Sequence, residues 1–285
     1  MNLTIFTPTY NRASLLLRVY ESLKRQNSNC FEWIVVDDGS SDNTAAVINR
    51  VAEEATFPIR YIKKTNGGKH TAFNLGIAEA KGALFLCLDS DDELCEGAVE
   101  TIINAPTLED YQCGYLAWKR DFSGKYLGAP CCGSISEIKC KDVGQGEYAF
   151  VFRTALLQNY RYPEFSGERF IGECVVYDML ALAGYSYQIL PEVLEICEYQ
   201  TDGLTSNLNQ IMKKNPAGYC LYFMQRIDMA TSWQKRVALA GKYHCFCIFA
   251  GEKRTAYTGK HRFVVSLTKP IGLVFAVYYK LFRGF

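Results

Sequence analysis

The sequence predicts an α/β protein: a mostly parallel sheet sandwiched by helices, followed by a helical C-terminal extension. Three observations predict this. Short apolar runs rich in Val, Ile and Phe alternate four times with stretches of helical spacing. Those runs are apolar at successive positions, as strands buried on both faces require. After about residue 206 no internal strand pattern remains, and the spacing is helical.

Residues 3–7, LTIFT, form the first strand run, and from Ala13 to Gln26 the leucines and Val19 recur at helical spacing. EWIVVDDGSSDN repeats strand then loop, with Ser41 or Asp42 able to cap a helix that runs to about Glu54. A third unit passes from IRYIKK through TNGGKH into TAFNLGIAEAKG. A fourth passes from ALFLCL through an acidic loop into LCEGAVETIINA. Beyond residue 105 the alternation weakens. CGYLAWKRDFSGKYLG reads as a hairpin turning at Ser123 and Gly124, and YAFVFR as a strand ahead of TALLQN. YPEFSGERFIGE is loop-like, CVVYDMLALAG helical and YSYQILPEVLEICEY largely extended. LNQIMKK, GYCLYFMQRIDMA and SWQKRVALAGKYHCFCIFAGE then follow as helical segments.

A chain of 285 residues can bury a full core, as one large domain or two smaller ones. With 31 basic and 30 acidic side chains its formal charge is +1, which provides no general attraction to nucleic acid. The local distribution is uneven: acids crowd between Asp37 and Glu100, and bases crowd from Lys253 onward. MNLTIFTPTYNR has no basic region followed by an apolar run and a small-residue cleavage site, so the expected location is cytoplasmic. The twelve cysteines lie mostly singly in apolar surroundings such as FLCLD and LEICEY. The close pairs Cys131 with Cys132 and Cys245 with Cys247 lack zinc-site spacing, so the cysteines read as reduced core thiols. In RFVVSLTKPIGLVFAVYYKLFRGF the longest apolar run, Pro270 to Tyr279, is well short of the roughly 20 residues of a spanning helix. Two readings of this tail stay open: a helix lying in a membrane interface, with Lys269, Lys280 and Arg283 on anionic lipid, or a terminal helix packed on the core.

In a parallel sheet, ligands bind beyond the carboxyl ends of the strands. The unusual polar clusters all lie there: TPTYNR, DDGSSD, NGGKH and DSDDE follow the first four strands in turn. Asp89, Asp91, Asp92 and Glu93 sit together where their charges repel, and a cation or donor array must offset them. The D-x-D spacing lets Asp89 and Asp91 face one crevice, with Asp92 next. Hard divalent ions such as Mn2+ or Mg2+ favour such carboxylates together with substrate phosphates. Taken alone, an acidic turn of this kind reads as a solvated loop more readily than as a metal site. Asp37 and Asp38 precede a glycine turn, where a carboxylate can accept from a ribose or base, or form an Asx turn. In NGGKH the glycines allow close backbone approach and Lys69 supplies a point charge for phosphate. Neither a P-loop nor a GxGxxG after the first strand is present.

TIFTPTYNR, WIVVDDGSSDNT, NGGKHTAFNLGI, AKGALFLCLDSDD, GERFIGE and EYQTDGLTSN, in this order, resemble the family 2 glycosyltransferases. The resemblance implies a GT-A fold, Rossmann-like, over residues 1–205, with a nucleotide-sugar half at about 1–105 and an acceptor half at about 106–205. The helical extension, 206–285, ends in the basic aromatic tail. It implies that Thr7, Pro8, Tyr10 and Arg12 of TPTYNR touch the nucleotide, with Tyr10 stacking near the base. It implies that Asp38 contacts the base, that Gly68 and Lys69 line the donor diphosphate, and that Asp89 and Ser90 sit near ribose and metal. Asp91, then Asp92, are the implied ligands of a divalent metal, Mn2+ or Mg2+. An inverting transfer needs a base. The family places it in a Glu-Asp pair at a helix start, whereas here Glu173 is followed by Cys174. Glu173 is the first choice, with Asp178 and Glu168 the alternatives.

The implied donor is a nucleotide diphosphate sugar, a UDP-sugar foremost. The implied acceptor is a saccharide or lipid-linked saccharide, with no nucleic acid partner. The implied setting is bacterial polysaccharide assembly at the inner face of the cytoplasmic membrane, where the tail can make peripheral contact. Two rivals stand beside this: a sugar nucleotidyltransferase, which releases pyrophosphate, and a non-catalytic carbohydrate-binding relative.

Overall fold

The structure is a computed structural model that describes residues 2–128, 136–144, 146–198 and 208–283. Cys131, Cys132 and most of EYQTDGLTSN, from Tyr199 to Asn207, lie outside the described residues. The chain divides into two compact units, Met1–Arg161 with Gly184–Gln200, and Tyr162–Ala183 with Thr201–Phe285.

In the first unit strands and helices alternate: β1 (Leu3–Thr9), α1 (Ala13–Lys24), β2 (Phe31–Asp37), α2 (Thr44–Glu54), β3 (Ile59–Lys63), α3 (Lys69–Glu79) and β4 (Leu84–Cys87). The short β5 (Glu93–Leu94) and α4 (Ala98–Ile103) follow. β1 pairs in parallel with β2 and β4, and β2 with β3, so Leu3 lies opposite Phe31 on one side and Leu84 on the other. Every residue of β1 and β2 is buried. Leu3 and Ile5 share a core with Leu16 and Val19 of α1 and Ile48 of α2. Phe6, on the alternate face, stacks on Phe85 at 5.4 Å and meets the Phe73 ring of α3 edge-on at 5.6 Å. Successive side chains of a strand point to opposite faces, so helices on both faces require apolar residues at successive positions.

The rest of the sheet is mixed. β6 (Gln112–Asp121), β7 (Glu137–Lys139), β8 (Tyr148–Arg153) and β9 (Ser186–Cys197), with the short α5 (Thr154–Leu157) after β8, extend it to the order β3-β2-β1-β4-β8-β6-β9-β5, with β7 on β9. β8 runs antiparallel between β4 and β6, and β9 parallel to β6. The expected turn at Ser123 and Gly124 forms, with the Asp121 carboxylate accepting from the N–H groups of Ser123 and Lys125 at 2.8 and 3.0 Å. The return arm is short, with a bridge from Arg120 to Tyr126. The long partners of β6 are β8 and β9, since an apolar central strand must be paired on both edges. In β9 the register slips between Ile189 and Val193 opposite β6, a span that contains Pro191, which has no N–H to give to a ladder.

The second unit is helical: α6 (Cys174–Leu182), α7 (Leu208–Lys214), α8 (Pro216–Met229), α9 (Trp233–Ala250), α10 (Arg262–Leu267) and α11 (Lys269–Phe282). Residues 162–183 group here through specific bonds. Gln225 of α8 donates to the Val175 carbonyl at 3.1 Å, and the Glu168 carboxylate accepts from the N–H groups of Ala217 and Gly218 at 2.8 and 2.9 Å. Pro216 opens α8 at a position that needs no N–H, and the Ser232 hydroxyl caps α9 by accepting from Lys235 N–H at 3.2 Å. Cys220, Phe223, Ala240, Cys245, Phe246 and Ala276 form the core. The buried thiols Cys113, Cys197, Cys220 and Cys245 are free. Among the described residues, no helix is long and apolar enough to cross a membrane.

Candidate active site

Four loops at the carboxyl ends of β1 to β4 are tied to one another. After β1, Asn11 adopts φ 51°, a left-handed conformation that Asn tolerates better than most residues. There its N–H donates to the Ser40 hydroxyl, and its side-chain oxygen accepts from the Ser41 N–H, both at 2.8 Å. Asp42 accepts from Ala13 N–H at 3.0 Å and from the Thr44 hydroxyl at 2.6 Å, so one carboxylate serves the starts of both α1 and α2. Burial acts to raise its pKa, but the hydrogen bonds from Thr44 and Ala13 outweigh it and hold the carboxyl below its usual value.

Asp38 joins the second loop to the third. Its carboxylate accepts from the N–H groups of Gly67 and Gly68 at 2.8 and 2.7 Å and pairs with Lys64 at 2.6 Å. Gly68 has φ 96°, which a side chain would resist, and this conformation turns its N–H toward Asp38 just before α3 begins. Asp38, expected at the base, is thus engaged in shaping the NGG loop. Asp37 is engaged too: it accepts from Ser40 N–H at 2.7 Å and from the Tyr61 hydroxyl. Thr7 and Pro8 are buried in β1, where the Thr7 hydroxyl accepts from the Trp33 indole at 2.9 Å. Tyr10 is half exposed, at 51%. The buried Thr9 hydroxyl at the end of β1 has no hydrogen-bond partner among the described residues.

The fourth loop carries the acids, and each faces a cation. Lys69 pairs with Asp89 at 2.7 Å, Arg12 with Asp91 at 3.6 Å, and Lys119 of β6 with Asp92 at 3.4 Å. Asp92 N–H donates to the Asp89 carbonyl at 3.1 Å, closing the turn with Ser90 buried inside it. The Arg18 guanidinium donates to the Asp91 carbonyl. The three carboxyls titrate apart. Burial pushes Asp89 up, but Lys69 and Lys119 outweigh it and hold it low. Burial, and then the Asp89 charge, push Asp91 up, and burial takes Asp92 to about 6.

Behind the turn, Asp92, Glu195 and Cys197 bring ligand atoms within 4.8 Å of one another. Lys119 stands 2.5 Å from Glu195, and the Cys197 thiol donates to Asp92 at 3.1 Å. This buried trio therefore already has its cation in the Lys119 ammonium, whose pKa the carboxylates hold well above normal against the opposing effect of burial. Asp91 differs: its side chain is 26% exposed and stands 3.6 Å from Arg12, and its pKa is raised first by burial and then by the neighbouring Asp89 charge. Its oxygen donors suit a hard divalent ion.

Three candidate bases lie in the helical unit. Asp178 is buried on an ion pair with Arg226 at 2.7 Å, and burial takes its pKa to about 6. Glu168 holds the start of α8 by the two bonds given above. Glu173, at the N-cap of α6, is exposed, and the Tyr177 hydroxyl donates to it at 3.5 Å.

Sequence reasoning missed Asn11, Lys119 and Glu195. A charged residue within an apolar strand was the available signal for the last two, in LAWKRD and LEICEY. For Asn11 the signal was a turn-forming residue inside TYNR.

Comparison with known proteins bears on this site. Residues 4–130 match the family described as "Glycosyl transferase family 2". A GalNAc(5)-diNAcBac-PP-undecaprenol beta-1,3-glucosyltransferase of Campylobacter jejuni is 34% identical over 57% of this chain and 55% of its own length. A hyaluronan synthase of Pasteurella multocida is 38% identical over 34% of this chain and 10% of its own. The chain thus spans about half the length of the first relative and far less of the second. Among solved structures, S. aureus TarS 1–349 in complex with UDP-GlcNAc shares the fold at TM-score 0.58 and 17% identity, over 87% of this chain and 73% of that one. Mannosyltransferase PcManGT from Pyrobaculum calidifontis, in complex with GDP-Man and Mn2+, does so at TM-score 0.57 and 18% identity, over 99% and 83%. The family match begins in β1 and ends beyond the β6 turn, so it takes in all four linked loops; residues 4–130 are similar to the family 2 glycosyl transferases, and the chain shares the GT-A fold of the solved glycosyltransferases.

Proposed function

We propose that this domain moves a sugar from a nucleotide diphosphate sugar, a UDP-sugar foremost, to a hydroxyl of a saccharide or lipid-linked saccharide by a single inverting displacement. The observation that carries the reading is the turn after β4, where the partly exposed Asp91 lies beside the Lys69–Asp89 pair at the end of the parallel sheet. The β4 turn offers carboxylates for a divalent ion, and Lys69 stands beside them with a charge suited to phosphate.

Asp91, the outward carboxylate of the turn, would hold Mn2+ or Mg2+ beside Asp89, while Asp92, the second ligand expected from the sequence, is turned to Lys119. Such an ion, when bound, neutralises a diphosphate and makes it a better leaving group. Lys69 stabilises the charge that develops on that leaving group. Tyr10 offers an exposed ring to the base, and the unsatisfied Thr9 hydroxyl offers a hydrogen bond at the same strand end. Asp38 acts through the Gly67–Gly68 loop, which it holds against the donor diphosphate. Glu173 takes the proton of the acceptor hydroxyl. Support for that choice comes from the exposed position of Glu173 at the start of α6.

The test is a panel of nucleotide sugars with Mn2+, Mg2+ or a chelator, scoring the nucleotide product. Release of nucleoside diphosphate that stops on chelation is expected. Release of pyrophosphate would instead indicate a nucleotidyltransferase, and no turnover with any donor a binding relative. Asp91→Ala should lower metal-dependent turnover by about 100-fold or more while leaving the thermal midpoint nearly unchanged, since the side chain is partly exposed. Glu173→Gln should lower turnover far more than donor affinity. Wild-type rates in either variant would remove that residue from the mechanism.

A further inference from the structure

The outer side of α11 is apolar where an ordinary surface helix is polar. The helix packs on α9 along a narrow strip. A Cβ on Gly241 would lie 2.6 Å from Ile271 Cγ2, and one on Gly272 would lie 2.2 Å from His244 Cβ, so the two backbones approach closely there. That strip buries Gly272 and Ala276. The opposite side leaves Leu273, Val274, Leu281 and Phe282 exposed by 61, 68, 70 and 72%, and Phe263 of α10 by 73%. Among the described residues, the charged side chains on α11 are Lys269 and Lys280.

Charge selects the occupant of this face. On and just after α11, Lys269, Lys280 and Arg283 are exposed, and from Lys253 to the last residue the sequence has no acid. A second copy of the chain would bring two such basic surfaces together. An anionic bilayer supplies the opposite charge and an apolar layer beneath it. α11 is not long or apolar enough to cross, and Tyr278, 44% exposed, suits the headgroup boundary.

We propose that α10 and α11 form a docking face for an anionic lipid bilayer. The exposed apolar side chains enter below the headgroups, and Lys269, Lys280 and Arg283 lie at the level of the lipid phosphates. Binding of this kind is independent of the sugar-transfer reading, whereas its consequence, placing the domain beside lipid-linked acceptors, rests on it.

The experiment is co-sedimentation of the full chain with vesicles of phosphatidylglycerol and phosphatidylcholine, and with vesicles of phosphatidylcholine alone. Binding to the mixed vesicles, weaker by roughly tenfold or more on the neutral ones, is expected. The variant L273Q/V274Q/V277Q/L281Q changes exposed positions, so it should keep the wild-type melting temperature and its turnover of donor with a water-soluble acceptor while losing vesicle binding. K269E/K280E/R283E should lose the preference for anionic lipid. No sedimentation with either vesicle, equal binding to both, or unchanged binding by the glutamine variant would overturn the proposal. So would a lipid-free dimer, seen by sedimentation velocity, that the glutamine variant dissolves. Vesicle binding without donor turnover would leave the docking face standing and remove the catalytic reading, and the reverse result would do the opposite.

Discussion

Lys119 shows how one side chain can decide the character of a site. Its ammonium lies 2.5 Å from Glu195 and 3.4 Å from Asp92 and is only 13% exposed. Removing one member of a buried charge group leaves the others uncompensated, at a cost of about 3–5 kcal/mol. Lys119→Met should therefore destabilise the protein by about that amount in urea unfolding at neutral pH. The loss should shrink on acidification, because Glu195, raised by burial to about 7, then takes a proton in place of the lost cation. A loss under about 1 kcal/mol would mean that the pair is solvated like a surface bridge. Asp89, Asp91 and Asp92 were all legible as a cluster from their spacing. Their division between an outward Asp91 and an Asp92 turned to Lys119 was not, because it depends on β6 and β9 lying behind the turn.

At the scale of elements, the α9–α11 contact depends on two glycines that let the backbones approach, beside large side chains such as Phe246 and Tyr279, whose rings meet edge-on at 5.7 Å. A Cβ at Gly272 would meet His244 Cβ at 2.2 Å and Cys245 N at 3.2 Å, and neither belongs to the end of a flexible side chain. Gly272→Val should cost about 1–3 kcal/mol by overpacking, and should make the α11 amides exchange faster with solvent than those of β1 and β2. Unchanged exchange would show that α11 does not pack as described. The first four strand and helix units were legible because strand and helix periods differ and each repeat ends in a turn signal. The insertion of β8 between β4 and β6 was not legible. Strand pairing is a long-range choice that the local period of YAFVFR or CGYLAW does not encode.

For the whole molecule, pH exposes the sum of the buried carboxyls. Asp178 has a folded pKa of about 6 against an ordinary value of 3.8, so between those values the folded chain holds a proton that the unfolded chain has released. Stability from this group is greatest below the lower value and is lost as pH rises through the upper one, by roughly 1.4 kcal/mol per pH unit within the window. Asp178→Asn should flatten the stability profile between about pH 4 and about pH 6, read by urea midpoints. An unaltered slope would place the titration elsewhere. The sequence by itself determined the α/β class, the parallel opening of the sheet and the four polar loops at its edge, because local periodicity and turn chemistry are written in neighbouring residues. Only the tertiary structure decided which acids already have a cation, that Asp38 and Thr7 are engaged within the fold, and which side of α11 stays bare. Each of those outcomes depends on what residues distant along the chain bring within hydrogen-bond or van der Waals reach.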